Sequence, residues 1–280
     1  MTSIPEPEEL ATLAVEVAEA AGRILLEGLA RVRTLVETKT TRTDMVTEMD
    51  RASEAFIAAA LRERRPDDGL LGEEGAAVES RSGVRWVVDP LDGTTNYLYG
   101  FPAFAVSIAA EVDGRGVAGA VHDPVHGETF AASLGDGARL NGVPLSVVGA
   151  GAGDLATALV GTGFSYDAAS RARQSAVLRQ VLPAVRDIRR AGAAALDLCW
   201  VAAGRLDAFY ERGLQPWDLA AGAVVASEAG ALVERRPDGT VLAAVPQLFE
   251  PLCRLLDIAE QSAAEDRAGP DPGTRAAPTS

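Results

Sequence analysis

The sequence predicts a layered fold in which helices alternate with strands, α/β or α+β, and three observations carry that reading. Near the start, Leu10, Leu13, Ala14, Val17, Ala21, Ile24 and Leu25 recur at helical spacing, the stripe of a helix buried on one side. Short alternating apolar runs bounded by Gly, Pro and Asp then fill the first half, as strands do. The second half alternates helical and strand-like segments again, the pattern that packed layers of both kinds require.

Taken in order, the first helix spans about Glu8 to Leu29 and a second about Glu48 to Arg64, where Thr47 to Asp50 has the form of a capping box, so that Asp50 closes a helix end. A short apolar strand at Trp86 to Val88 should lose its pairing near Asp89, because Pro90 has no N–H to donate. Strands at Ala103 to Val112 and Gly116 to His122 join through Asp113-Gly114, a hairpin signal, and further short strands fit Thr129 to Ser133 and Pro144 to Val147. Beyond them the pattern gives a strand at Ala158 to Gly161, a helix from Ala168 to Val185, and another after Gly192 that Gly204 ends. A strand at Asp207 to Glu211 leads to a helix at Trp217-Asp218, closed by Gly230 before a strand at Ala231 to Glu234.

A 280-residue chain with 48% hydrophobic residues can bury a large core. We expect one domain over residues 1–262, in two lobes meeting near 150, and a disordered tail over 263–280, where apolar periodicity ends. The formal net charge of −14 argues against binding to nucleic acid or an anionic membrane, both of which select clustered Lys and Arg. Two distant cysteines, Cys199 and Cys253, in apolar surroundings suggest free thiols in a reducing compartment. The first residues carry no basic segment followed by an apolar stretch, and the cytoplasm is the expected location.

Chemistry concentrates in WVVDPLDGTTNY, Trp86 to Tyr97. Asp89, the Leu91 carbonyl and Asp92 can converge at an irregular strand end as hard oxygen ligands, suited to Mg²⁺ rather than zinc. A helix starting at Gly93-Thr94-Thr95 would turn its free N–H groups toward the same space and seat a phosphate. In isolation DPLDG is equally a turn, Glu73 and Glu74 of LGEEG a solvated loop, and Asp218 of PWDLAAG a helix N-cap.

Together these three segments, in this order, resemble the inositol monophosphatase family of Mg²⁺-dependent, lithium-sensitive phosphatases, whose signatures are GEE, WxxDPxDGTTNF and WDxAAG. The resemblance runs from about Lys39 to Val233. It implies an α+β fold, a layered αβαβα sandwich of the sugar-phosphatase type, generally dimeric. It further implies that Glu73, Asp89 and the Leu91 carbonyl hold one Mg²⁺ and that Asp89, Asp92 and Asp218 hold a second, with Glu73 also helping a third, weaker site. Thr94 resembles the threonine that orients the attacking water, with Asp50 as the carboxylate paired to its hydroxyl and Glu73 as the third catalytic residue. Lys39 matches the lysine of a metal loop, against a plain surface lysine. For substrate, the resemblance implies Asp92, Gly93, Thr94, Gly192, Ala193, Ala194, Glu211 and Asp218, with Glu211 accepting hydrogen bonds from inositol hydroxyls; a solvated strand end is its plain alternative. Many relatives carry Ser or Thr where Ala193 stands, which removes one hydroxyl contact.

Several other patterns fail their required context. Gly114, Gly116 and Gly119 spell GxGxxG between two strands with no helix after them. His122 and His126 have the spacing of metal ligands on a helix, but Pro124 lies between them. No GxSxG elbow or Walker A loop occurs. The expected activity is hydrolysis of a small phosphate monoester, inositol monophosphate first. The competing readings are a sibling phosphatase acting on histidinol phosphate, a 3′-phosphoadenosine nucleotide or fructose 1,6-bisphosphate, and a transcription-complex factor whose surface is its function. Thr95 and YERGLQPWD favour the inositol type.

Overall fold

A computed structural model describes the backbone of residues 6–34 and 42–268; Lys39 lies outside the described residues. Five layers stack in the order helix, sheet, helix, sheet, helix. The outermost layer is α1 (Pro7–Thr34) and α2 (Arg42–Arg64). Beneath it lies an eight-stranded sheet of β1 (Gly69–Gly72), β2 (Ala77–Val78), β3 (Val84–Asp92), β4 (Ala105–Val112), β5 (Arg115–Asp123), β6 (Glu128–Ser133), β7 (Gly137–Leu140) and β8 (Val143–Leu145), in the order β2-β1-β3-β4-β5-β6-β7-β8. Only β1 and β3 pair in parallel within it.

The two-residue period of a strand explains how this sheet serves both neighbours. Trp86, Val88, Ile108 and Ala120 point to a core with Leu10, Ala14, Ala21, Leu25 and Ile57 of α1 and α2. Val87, Ala105, Ala109 and Val121 point the other way, onto α5 (Ala194–Ala202) and α6 (Pro216–Glu228). Those two helices bury apolar residues on both sides because a second sheet covers their far side. It runs β10-β9-β11-β13-β12, from β9 (Leu159–Thr162), β10 (Asp187–Arg189), β11 (Ala208–Arg212), β12 (Leu232–Arg235) and β13 (Thr240–Ala244). Val160, Phe209 and Leu242 of this sheet share a core with Leu198 and Val201 of α5 and with α4 (Ala168–Val181) and α7 (Pro246–Ala268), the fifth layer. A six-residue helix, α3 (Thr94–Tyr99), follows β3 directly.

Several boundaries move from their expected places. Pro90 does not end β3. The ladder to β4 slips between Asp89 and Asp92 and then resumes, with Asp89 opposite Ser107 and Asp92 opposite Ala105. The missing N–H is thus absorbed as a bulge, the usual place for proline within a sheet. Helix α2 starts at Arg42, so Asp50 sits in its third turn and caps nothing. Pro183 ends α4 early in a 3-10 turn, Leu182–Ala184, and leaves room for β10. Helix α7 continues to Ala268, six residues beyond the expected domain limit at 262. The hairpin at Asp113-Gly114 forms as expected, both residues having positive φ, 52° and 75°. Cys199 and Cys253 are both free, and among the described residues no helix is long and apolar enough to cross a membrane.

Candidate active site

The bulge in β3 builds the centre of the site. Asp89 is buried and turns one carboxylate oxygen back to accept the Leu91 N–H at 3.0 Å, while Ser53 of α2 donates to the Pro90 carbonyl at 3.0 Å. These bonds hold an irregular backbone that no sheet partner could hold. Gly93 then reverses the chain into α3 with φ 90°, ψ 36°, a left-handed conformation. Its α-carbon also faces the Ala103 carbonyl so closely that a β-carbon would lie 2.8 Å from that oxygen. Glycine is required here twice over.

Other acids reach the same place from distant segments. The loop after β1 carries Glu73, and Glu54 of α2 shapes that loop by accepting the Glu74 N–H at 2.9 Å and the Ala76 N–H at 3.0 Å. Asp92 accepts the N–H groups of Ala194 (3.2 Å) and Ala195 (2.8 Å), so the first turn of α5 grips it. Asp218 closes the capping box of α6 by accepting the Gln215 N–H at 2.7 Å. Asn96 of α3 donates to the carbonyls of Ala103 (2.6 Å) and Ala191 (2.9 Å), and so ties the approach to α5 against the Asp92 segment.

The result is a cleft of about 340 Å³ lined by Glu73, Asp89, Leu91, Asp92, Gly93, Thr94, Gly192, Ala194, Glu211 and Asp218 among others. Ten of the residues expected at the site therefore meet. Two do not. Ala193 is 1% exposed and packs into the core between the large sheet and α5, because the residue before a helix that grips Asp92 must turn inward. The expected bond between Thr94 and Asp50 is not formed. The Thr94 hydroxyl donates instead to the Leu91 carbonyl at 3.2 Å, three residues back, a short-range bond that costs little ordering. Asp50 stays buried behind the cleft, its Oδ1 without a hydrogen-bond partner.

Electrostatics mark this cluster as unusual. Burial, reinforced by Asp92, Glu73 and Asp218, pushes the Asp89 carboxyl well above the usual range. Burial and Asp218 push Asp92 up to about 8 against the pull of its two backbone donors. Glu73 and Asp218 are raised by burial too, and Asp50 rises to about 8 through burial and its glutamate neighbours 73, 74 and 54. Such mutual repulsion is relieved by a multivalent cation. The donors, carboxylates with one carbonyl and no nitrogen or sulfur, fit Mg²⁺. Among the described residues no three such side chains are already closed into a metal-binding group; Asp89, Asp92 and Asp218 spend oxygens on backbone N–H groups of the chain.

Sequence patterns missed three contributors. Arg190 lines the cleft and partly offsets the burial that leaves the Glu211 carboxyl raised to about 7. Asp197 of α5 is buried with Oδ1 unpartnered and its carboxyl pushed well up by burial, Glu211 and Asp92. Tyr166 stands at the cleft wall, bonded to Thr95. No local spacing signals any of these, since Arg190 and Tyr166 reach the cleft, and Asp197 is buried, only once the layers have packed. His122 and His126, by contrast, bind Thr129 and Asp123 and serve the hairpin.

Known proteins are similar to this chain in sequence and fold. An Inositol-1-monophosphatase of Mycobacterium leprae is 48% identical over 236 residues, 79% of this chain and 81% of its own. A protein named Nus factor SuhB from Pseudomonas aeruginosa is 44% identical over 81% of this chain and 85% of its own. The solved structure of Mycobacterium tuberculosis SuhB superposes with a TM-score of 0.81 at 43% identity, covering 91% of this chain and 98% of that one. The model of the Inositol monophosphatase family matches residues 6–267, and the chain belongs to that family.

Proposed function

We propose that this protein is a Mg²⁺-dependent phosphomonoesterase that hydrolyses inositol monophosphate to inositol and phosphate. The observation that carries the reading is the meeting of Glu73, Asp89, Asp92 and Asp218, from three distant segments, in one cleft with Glu211.

Glu73, Asp89, the Leu91 carbonyl, Asp92 and Asp218 would hold Mg²⁺, which when bound offsets phosphate charge and makes a water acidic enough to act near neutral pH. The chain's own groups do the rest. Thr94, at the first position of α3, places a hydroxyl beside the Leu91 carbonyl and the acids, where it can orient a water for attack. Gly93 and Thr94 line the cleft, where the N–H groups of their turn would serve as donors to phosphate oxygens. Glu211, set at the opposite wall with Arg190, accepts hydrogen bonds from ring hydroxyls of the leaving alcohol. No side chain here needs to form a covalent bond to the phosphoryl group.

The deciding experiment is a phosphate-release panel with Mg²⁺ across inositol, histidinol, nucleotide and sugar phosphates, with inositol 1-phosphate expected to give the highest kcat/KM. A sibling ester ranking first would reassign the substrate. The name carried by the Pseudomonas aeruginosa relative supports a second reading, a protein partner in a transcription complex. Asp92→Asn separates the two, since loss of hydrolysis with retained partner capture would make the surface the function. A homodimer belongs to the same proposal, and light scattering should return twice the 29.1 kDa chain mass.

A further inference from the structure

The loop joining β9 to α4, Gly163-Phe164-Ser165-Tyr166, touches the cleft without supplying any acid. It is held firmly from behind. The Ser165 N–H donates to Gln174 Oε1 at 2.9 Å, and Arg171 donates to the carbonyls of Ser165 (3.1 Å) and Tyr166 (2.6 Å). Asp167 caps α4 by accepting the Ser170 N–H at 2.7 Å. A loop tied this way holds its side chains in place.

Its front makes two contacts that bear on the leaving group. At Gly163 the space of a side chain is taken by Glu211, whose carboxylate would overlap any β-carbon, with Oε2 at 1.9 Å and Oε1 at 2.3 Å from that point. Gly163 thereby sets how deep Glu211 sits. At the other end, Tyr166 remains 78% exposed, an unusual place for a large aromatic, and its hydroxyl lies 2.9 Å from that of Thr95 in α3. This bond spans from the second sheet to the helix that carries Thr94. The cleft is walled on that side by the tyrosine.

We propose that the Gly163–Tyr166 loop is the specificity element for the leaving alcohol. Gly163 positions Glu211 at hydrogen-bonding depth for a polyol ring, and Tyr166, anchored on Thr95, limits the width of the group that fits beside it. The inference rests on the hydrolytic reading above and deepens it.

The test is steady-state kinetics with Mg²⁺ on inositol 1-phosphate and p-nitrophenyl phosphate, scored as the ratio of their kcat/KM values. Gly163→Ala should lower this ratio about tenfold or more, mostly through KM for the inositol ester, because a small displacement of a positioned group is costly. Tyr166→Phe and Thr95→Val should each lower it by about 2- to 10-fold, and the double variant no further, since both delete one bond. Tyr166→Ala should shift preference toward 1-naphthyl phosphate. An unchanged ratio in both Gly163→Ala and Tyr166→Phe overturns the proposal, as does additivity of Tyr166→Phe with Thr95→Val. Should Gly163→Ala fail to fold, Tyr166→Phe, which removes a single oxygen, decides alone. If the wild-type protein hydrolyses neither ester, the hydrolytic reading falls, and the loop is judged by the rise in Tm that inositol 1-phosphate induces. That rise must shrink in Tyr166→Phe, or the loop proposal falls too.

Discussion

Gly93→Ala is the sharpest single perturbation of the site, because two separable penalties fall on one residue. The left-handed backbone at φ 90° costs any residue with a β-carbon about 1–2 kcal/mol. The added atom would also lie 2.8 Å from the Ala103 carbonyl oxygen. That oxygen belongs to backbone already fixed by Asn96 at 2.6 Å and cannot swing aside. Overpacking of this kind adds about 1–3 kcal/mol. Gly83 supplies the control, with the same φ of 90° and nothing within 4 Å of its hypothetical β-carbon. For a domain of this size about 1 kcal/mol moves Tm by about 2 °C. Gly83→Ala should therefore lower Tm by about 2–4 °C and Gly93→Ala by about 4–10 °C. The activity should diverge more. Gly93 lies between Asp92 and Thr94, and relief of the clash must displace one of them, so kcat should fall by about 10- to 100-fold, while Gly83→Ala keeps the wild-type rate. Differential scanning calorimetry and phosphate release on both variants measure these quantities. If the two variants melt together and Gly93→Ala retains wild-type kcat, the argument that this turn is held by its contact with Ala103 is wrong.

Other outcomes follow from the same geometry. Asp92→Asn keeps an oxygen for one α5 N–H group but loses the charge, so phosphate release should vanish while the circular-dichroism spectrum stays native; activity in this variant, or in wild type with excess chelator, would contradict a metal-assisted site. Lithium in the millimolar range should inhibit uncompetitively or noncompetitively toward substrate, and an unaffected rate would place the chain in an insensitive branch. Glu211→Gln should cost about 1–3 kcal/mol in kcat/KM on inositol 1-phosphate and much less on p-nitrophenyl phosphate, whereas Asp89→Asn should depress kcat on both; equal losses for Glu211→Gln would remove it from ring recognition. His122 is buried against Gly22 with its pKa lowered by desolvation. The folded state therefore takes up its proton at lower pH than the unfolded state does. Its contribution to stability is present above pH 6.5 and lost as pH falls through the folded value, so His122→Asn should flatten the fall of Tm below pH 6.5, and an unchanged slope would exclude this group.

Much of the layering was legible because burial writes itself into periodicity. The Leu10 to Leu25 stripe, the Trp86 to Val88 run and the Asp113-Gly114 turn each encode a local choice that the fold keeps. The acids were legible for a different reason. A strand end, a proline and a glycine near two aspartates describe a distorted backbone with free oxygens, and the distortion is there at Asp89 to Asp92. What escaped was set by tertiary contact. Strands β10 and β13 are short, and β10 pairs with β9 and β13 with β11, each far back along the chain. Asp50 looked like a cap because a Thr-x-x-Asp pattern cannot reveal that the helix has already begun five residues before Thr47. Ala193 looked exposed to substrate because sequence gives the start of α5 but not its rotation. Arg190 and Tyr166 lie in segments with no pattern, and only the approach of the two sheets gives them a role.

A comparison within the chain separates acids that stabilise the fold from acids that serve the cleft. Buried Asp68 is held by a two-pronged bond from Arg65 and by the Trp86 ring N–H at 3.0 Å. Asp123 is held by His126, and Glu128 by both guanidinium nitrogens of Arg205 at 2.6 Å. Asp68 and Glu128 thus each have a guanidinium of their own. Glu73, Asp89, Asp92 and Asp218 have none among the described residues; three of them are fixed by backbone N–H groups, from Leu91, from Ala194 and Ala195, and from Gln215. Backbone donors orient a carboxylate but carry no net charge, so the repulsion among these acids stays uncompensated within the chain. A guanidinium facing these acids, as Arg65 faces Asp68, would have offset that repulsion. The fold keeps these carboxylates aimed and unneutralised at some cost to itself, which is the condition for exchanging that repulsion against a bound cation and a phosphate.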